Sequence, residues 1–166
     1  MSIFTIGYEG LDIENFLALL RLGNVETVVD IRELPLSRKR GFSKNGLREI
    51  LSANGFHYRH ISELGCPKPI RDQYRQDGDW QRYTKDFKRY LAGKGEIIAE
   101  LSEMAEASHC ALLCFEANYR MCHRSFVAAA VRHASGAEVQ HLSKAAVKTE
   151  MAAGPQNGLL LADTEG

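Results

Sequence analysis

The chain contains no apolar run approaching the roughly 18 residues a membrane-spanning helix needs. It also lacks a basic-then-apolar leader, because Ile3 to Gly7 enters at once into a strand-like segment. Neither a membrane protein nor a secreted one is indicated, and a cytoplasmic location is expected. There is no net charge either: 21 Lys and Arg balance 21 Asp and Glu, so no global field draws the protein to nucleic acid or to a membrane. Cysteine is sparse. Cys66, Cys110, Cys114 and Cys122 include no Cys-x2-Cys pair, a domain of 166 residues needs no disulfide, and reduced thiols are expected. No internal repeat or low-complexity tract interrupts the chain, so its organisation has to be read from apolar periodicity.

What is present is a globular composition, 45% hydrophobic at the usual length of one domain. Ile3 to Gly7 reads as a strand, followed by Asp12 as an N-cap and Ile13, Phe16, Leu17 and Leu20 at helical spacing. Val25 to Ile31 is a β-branched run leading into Leu34-Pro35, a pair that disfavours helix and opens a long loop. Ser43 caps a helix over Leu47, Ile50 and Leu51 that ends at Asn54-Gly55, and Phe56 to Ile61 is a third strand. Cys66-Pro67-Lys68-Pro69 breaks the chain. Two helices are predicted after it, one over Trp80, Tyr83, Phe87, Tyr90 and Leu91, the other over Ile97, Ile98, Leu101 and Met104.

Cys110 to Phe115 has the unbroken apolarity of a strand buried on both faces. Phe126, Val127, Ala130, Val131 and Ala134 form a helical face after it, and Val139 to Leu142 a short fifth strand. Strands alternating with helices imply a three-layer α/β/α fold with a mostly parallel sheet of about five strands, Rossmann-like or flavodoxin-like. Residues 1–143 are expected to form this single domain and 144–166 a weakly ordered tail.

In such a sheet, ligands bind beyond the carboxyl ends of the strands, and here those ends are polar. Tyr8 and Glu9 follow the first strand; Asp30 and Arg32, then Ser37 and Arg38, follow the second; His60 closes the third and Glu116 the fourth. Cys122-His123-Arg124 falls at the start of the last long helix, where backbone N–H groups and the helix dipole favour an anion and lower a thiol's pKa. Arg32, Arg38 and Arg124 are forks suited to phosphate, together with Ser37, His60 and Tyr8; Asp30 or Glu116 could act as general acid or base, and Cys122 as nucleophile beside His123. From Arg32 to Arg48 six basic residues, Lys39, Arg40, Lys44 and both end arginines among them, face one acid, Glu33.

Each feature has a blander reading. A charge at a strand end is often only solvated or salt-bridged, and Trp80, Tyr83, Phe87 and Tyr90 recur at helical intervals as core residues do. Cys114 in an apolar strand reads as a small buried hydrophobe. Cys114 and Arg120 share the Cys-x5-Arg spacing of cysteine phosphatases, close to that of sulfurtransferases. The intervening residues include no glycine, and Glu116 would repel the anion such a loop must wrap. Cys114, Cys122 and His123, with Cys66 as a fourth ligand, could hold zinc or iron, yet the spacing does not favour it; no metal or cofactor is expected.

Thr5-Ile6-Gly7-Tyr8, Asp30-Ile31-Arg32 with Pro35, Ser37-Arg38 and Phe42, Tyr58-x-His60 with Leu64-Gly65, and Leu113-Cys114-Phe115-Glu116 leading to Cys122-His123-Arg124 together resemble the bacterial and archaeal family known as domain of unknown function 488, over roughly residues 3 to 143. The resemblance implies a site at Asp30, Arg32, Ser37, Arg38, His60, Glu116, Cys122, His123 and Arg124 but no defined reaction. Some relatives carry DNA-repair labels, which leans towards nucleic acid. Tyr8-Glu9 stands where relatives often have His-Ser, and Cys66 where a second glycine is usual. The expectation is an enzyme, a hydrolase or transferase, acting on a phosphate-bearing substrate such as a nucleotide or nucleic acid contacted through Arg32, Arg38, Lys39, Arg40 and Arg124. The competing readings are a non-catalytic nucleotide or nucleic-acid binder, and sulfur or redox chemistry at Cys122 or Cys114.

Overall fold

A computed structural model describes residues 1–145 and the backbone of 147–150. Five parallel strands, β1 (Ser2–Gly7), β2 (Thr27–Asp30), β3 (His57–His60), β4 (Cys110–Cys114) and β5 (Glu138–Leu142), form the sheet. A sixth, β6 (Val147–Glu150), adds antiparallel to β5, giving the order β3-β2-β4-β1-β5-β6. It falls within the segment expected to be a tail; position 146 and residues 151–166 lie outside the described residues.

Among the described residues six α-helices accompany the strands: α1 (Ile13–Leu22), α2 (Lys44–Ala53), α3 (Lys68–Asp77), α4 (Trp80–Ala92), α5 (Gly95–Ala107) and α6 (Arg124–Ser135). Among the described residues no helix is long and apolar enough to cross a membrane. The expected three-layer architecture is present. Side chains alternate along β4, so Ala111 and Leu113 meet Phe16, Leu20 and Leu47 of α1 and α2, while Cys110 and Leu112 meet Phe87, Leu101 and Val127 of α4, α5 and α6. Two cores thus sandwich a strand buried on both faces, which is why its sequence shows no alternation.

Of the two expected caps, Asp12 forms and Ser43 does not: Ser43 precedes α2, but its hydroxyl donates to the Ser37 carbonyl at 3.1 Å and leaves the helix uncapped by its side chain. The Asp12 side chain accepts from the Asn15 amide at 2.8 Å to open α1, and Asp79 opens α4 by accepting from Arg82 at 3.1 Å. Helix α3 departs from expectation. The Pro67-Lys68-Pro69 run starts a helix instead of breaking the chain, because a proline in the first turn forfeits no hydrogen bond and already holds the helical φ. None of the α3 residues is fully buried, so the apolar periodicity that would have betrayed it is weak.

Candidate functional site

The carboxyl ends of β1, β2 and β4 open into a cleft of about 840 Å³. Its base is made by Tyr8, Arg32, Cys114 and His123, all buried, with Glu116 half-buried beside them. The loop after β2 contributes Glu33, Leu34, Leu36, Ser37 and Arg38, and the α3–α4 segment contributes Arg71, Tyr74, Arg75, Trp80 and Tyr83, with Cys66 at its entry. Four exposed apolar side chains, Leu34, Leu36, Phe115 and Met121, also stand on this cleft. Together they give the concavity an exposed apolar rim.

Two glycines make the base possible. A Cβ on Gly7 would overlap the Glu116 carbonyl and crowd the Arg124 guanidinium, and one on Gly65 would overlap the Glu33 backbone. At both positions another stretch of backbone passes directly against the glycine, at the end of β1 for Gly7 and beyond β3 for Gly65, a close approach only glycine allows.

Several expected site residues are held by one another at or beneath the cleft's base, and of these Arg32 alone lines it. Asp30 is fully buried, and its carboxylate accepts from Arg32 Nε at 2.8 Å, Arg32 Nη2 at 2.7 Å and the Tyr58 hydroxyl at 2.6 Å. That leaves it no reach towards a substrate proton. Arg32, in turn, spends Nη1 on the Phe42 carbonyl at 2.7 Å and stacks against Tyr8, with its Cζ 5.4 Å from the ring centroid. Burial opposes the Arg32 charge, but Asp30 outweighs it and the guanidinium's pKa is raised. Burial, then the bond to Asp30, pushes the Tyr58 hydroxyl up as well. His60 Nε2 lies 2.7 Å from the Arg32 carbonyl and bounds the loop from behind.

Arg124 is also placed differently from a surface phosphate fork. It is 1% exposed, and it donates to Thr5 Oγ1 at 3.2 Å, to the Ala117 carbonyl at 3.2 Å, to Cys114 Sγ at 3.3 Å and to the Glu116 carbonyl. Burial pulls its pKa down to about 10 against the opposing pull of Glu116. It therefore shapes the β4–α6 loop from inside. The start of α6 is likewise sealed: Cys122, His123 and Arg124 are buried, and the amides of Ser125, Phe126 and Val127 donate to the Cys122 and His123 carbonyls. Arg120 lies over the Tyr119 ring and not on the cleft, so the Cys-x5-Arg spacing builds no anion loop here.

The expected site residues that line the cleft are Tyr8, Arg32, Ser37, Arg38, Glu116 and His123. Burial raises the Glu116 carboxyl. His123 Nε2 donates to the Ile31 carbonyl at 2.9 Å, since a carbonyl only accepts, and burial drops the imidazole to about 4. Lys39 Nζ is tied to the Tyr8 carbonyl at 3.2 Å, and Arg40 is exposed without lining the cleft. Glu9 accepts from the Ala117 amide at 2.9 Å, bracing the same loop.

The thiols correct the sequence reading. Instead of standing reduced and apart, Cys114 and Cys122 are joined as a disulfide, their Cα atoms 7.8 Å apart, because the turn at Tyr119–Met121 folds the chain back beneath β4. Cys66 and Cys110 are unbridged. The ligand atoms of Cys114, Cys122 and His123 all lie within 4.8 Å of one another, and Cys66 is not part of that group.

Arg71, Tyr74, Arg75, Trp80 and Phe115 were not anticipated as site residues. The available signal was the spacing of Arg71, Tyr74 and Arg75 at i, i+3 and i+4 on a segment with little apolar content, which places all three on one helix face.

The family model described as "Domain of unknown function DUF488" matches residues 12–131. No curated protein and no solved structure matches the chain.

Proposed function

Because the chain belongs to the DUF488 family, whose description assigns no activity, we propose from the cleft itself that it is an enzyme acting on a nucleotide or nucleic-acid substrate. The observation that carries this is the pairing of arginines with aromatic and apolar faces in one concavity. Arg38, Arg71 and Arg75 line it beside Tyr74, Trp80 and Phe115. Guanidinium forks take phosphate, and aromatic faces take a base by stacking. Arg38 and Arg75 are exposed and so available to an incoming anion. At the base, Glu116 is the carboxyl placed to exchange a proton with bound substrate, a role that Asp30 cannot fill from its saturated position.

Trp80 is the chain's only tryptophan and lines the cleft, so its fluorescence reports occupancy. Titration with mononucleotides, dinucleotides and short oligonucleotides is expected to change Trp80 emission saturably. Added salt should weaken binding, and Arg38→Ala or Arg75→Ala should weaken it about tenfold, or about 1.4 kcal/mol. Emission that stays flat for every nucleotide and oligonucleotide with folded protein would sink the proposal. Turnover that disappears in Glu116→Gln while binding persists separates an enzyme from a binder; no turnover under any condition leaves the non-catalytic reading.

A further inference from the structure

Three soft donors converge at the cleft's base: Cys114 Sγ, Cys122 Sγ and His123 Nδ1, all within 4.8 Å of one another and all buried. His123 presents Nδ1 because its Nε2 proton is committed to the Ile31 carbonyl, which fixes the tautomer and aims the other nitrogen at the sulfurs, 3.8 Å from Cys122 Sγ. That second anchor is the arrangement by which metal-binding histidines are oriented. Arg124 Nη1 donates to Cys114 Sγ at 3.3 Å, a contact that favours the thiolate over the thiol.

We propose that in its dithiol state this cluster binds a single zinc ion through Cys114, Cys122 and His123, leaving one coordination position open to the cleft. Two-electron reduction of the disulfide by a dithiol yields two thiols, and their two protons leave as one Zn²⁺ enters. Two thiolates and a neutral imidazole make a centre of zero net charge, so the buried Arg124 guanidinium beside it meets no net cation. Nitrogen and sulfur donors suit zinc, and three protein ligands with a vacant fourth position mark a reactive site more than a purely structural one. The vacancy faces the cleft because Cys114 and His123 line it, and Glu116 Oε2 lies 3.6 Å from Cys114 Sγ. Metal binding here stands whether or not a nucleotide occupies the cleft.

The test uses the full chain, reduced with a dithiol, desalted anaerobically and titrated with Co²⁺. An intense thiolate-to-cobalt charge-transfer band saturating at one ion per chain, and bleached by Zn²⁺, is expected. Cys114→Ser and Cys122→Ser should each weaken Co²⁺ at least tenfold and lose most of the band, whereas Cys110→Ala, a thiol outside the cluster, should keep it. Reduced protein that is folded by circular dichroism yet gives no charge-transfer band overturns the proposal, and this reading does not depend on any variant folding. So does a band that survives in both serine variants, or a disulfide that resists the dithiol while the fold is intact.

Discussion

Nε2 of His123, at the start of α6, lies 2.9 Å from the carbonyl oxygen of Ile31, just beyond β2 and 92 residues earlier in the chain. The bond clamps two strand-end segments together beneath the cleft. Arg124, the next residue, does the same for the loop after β4. The base of the site is thus built from buried polar groups that hold one another, and the groups that line the cleft above it come from the loop after β2, from the α3–α4 segment and, in Phe115 and Glu116, from the segment after β4.

Arg124 and Arg38 should separate cleanly. Arg124→Ala removes a buried charge and orphans the carbonyls of Glu116 and Ala117; a loss of about 3 kcal/mol or more in urea unfolding is expected. Arg38→Ala, at an exposed position, should stay within about 0.5 kcal/mol of the parent. Equal stabilities for the two variants would contradict the placement of Arg124.

Asp30→Ala leaves the buried Arg32 guanidinium without its carboxylate, for an expected loss of about 3–5 kcal/mol. Tyr58→Phe deletes one of several bonds to the same carboxylate and should cost about 1 kcal/mol. A double-mutant cycle between Asp30 and Arg32 measures their coupling. An Asp30→Ala loss no larger than that of Tyr58→Phe would show the pair to be loosely held.

Gly7→Ala drives a methyl group into the Glu116 carbonyl, which Arg124 fixes from the other side. About 1–3 kcal/mol of destabilisation is expected, together with weakened ligand binding, because the loop has to move. Thermal unfolding indistinguishable from the parent would contradict so close a crossing.

Cys66 lines the cleft, but burial pushes its thiol up to about 11. At pH 7 it is almost wholly protonated, and alkylation should be slow, accelerating as pH rises towards 11 because the thiolate is the nucleophile. Peptide mass spectrometry after timed iodoacetamide exposure checks this. Labelling at pH 7 as fast as a simple thiol would place Cys66 in a more polar setting than its 3% exposure implies.

Much of the fold was legible because burial writes itself into periodicity. The apolar run at Cys110 to Phe115 and the spacing of Phe16, Leu17 and Leu20 each have a single physical solution, and the structure adopts it. Depth at the strand ends was not legible. Asp30, Arg32 and Arg124 are charged residues at the mouth of a parallel sheet, and only the crossing chains over Gly7 and Gly65 show that they lie beneath the surface. The aromatic stripe of α4 was read as core, and Tyr83 and Phe87 are core, but Trp80 packs against that core while also lining the cleft. Helix α3 left the faintest trace, since its residues answer to solvent and to the cleft.

That last feature separates recognition from architecture. Because α3 carries Arg71, Tyr74 and Arg75 yet buries no residue fully, its exposed face can accept substitutions with little thermodynamic penalty. The base permits almost none, since each polar group there is another's partner. Under the proposed function, ligand preference is therefore free to diverge along one helix while the base beneath it stays fixed.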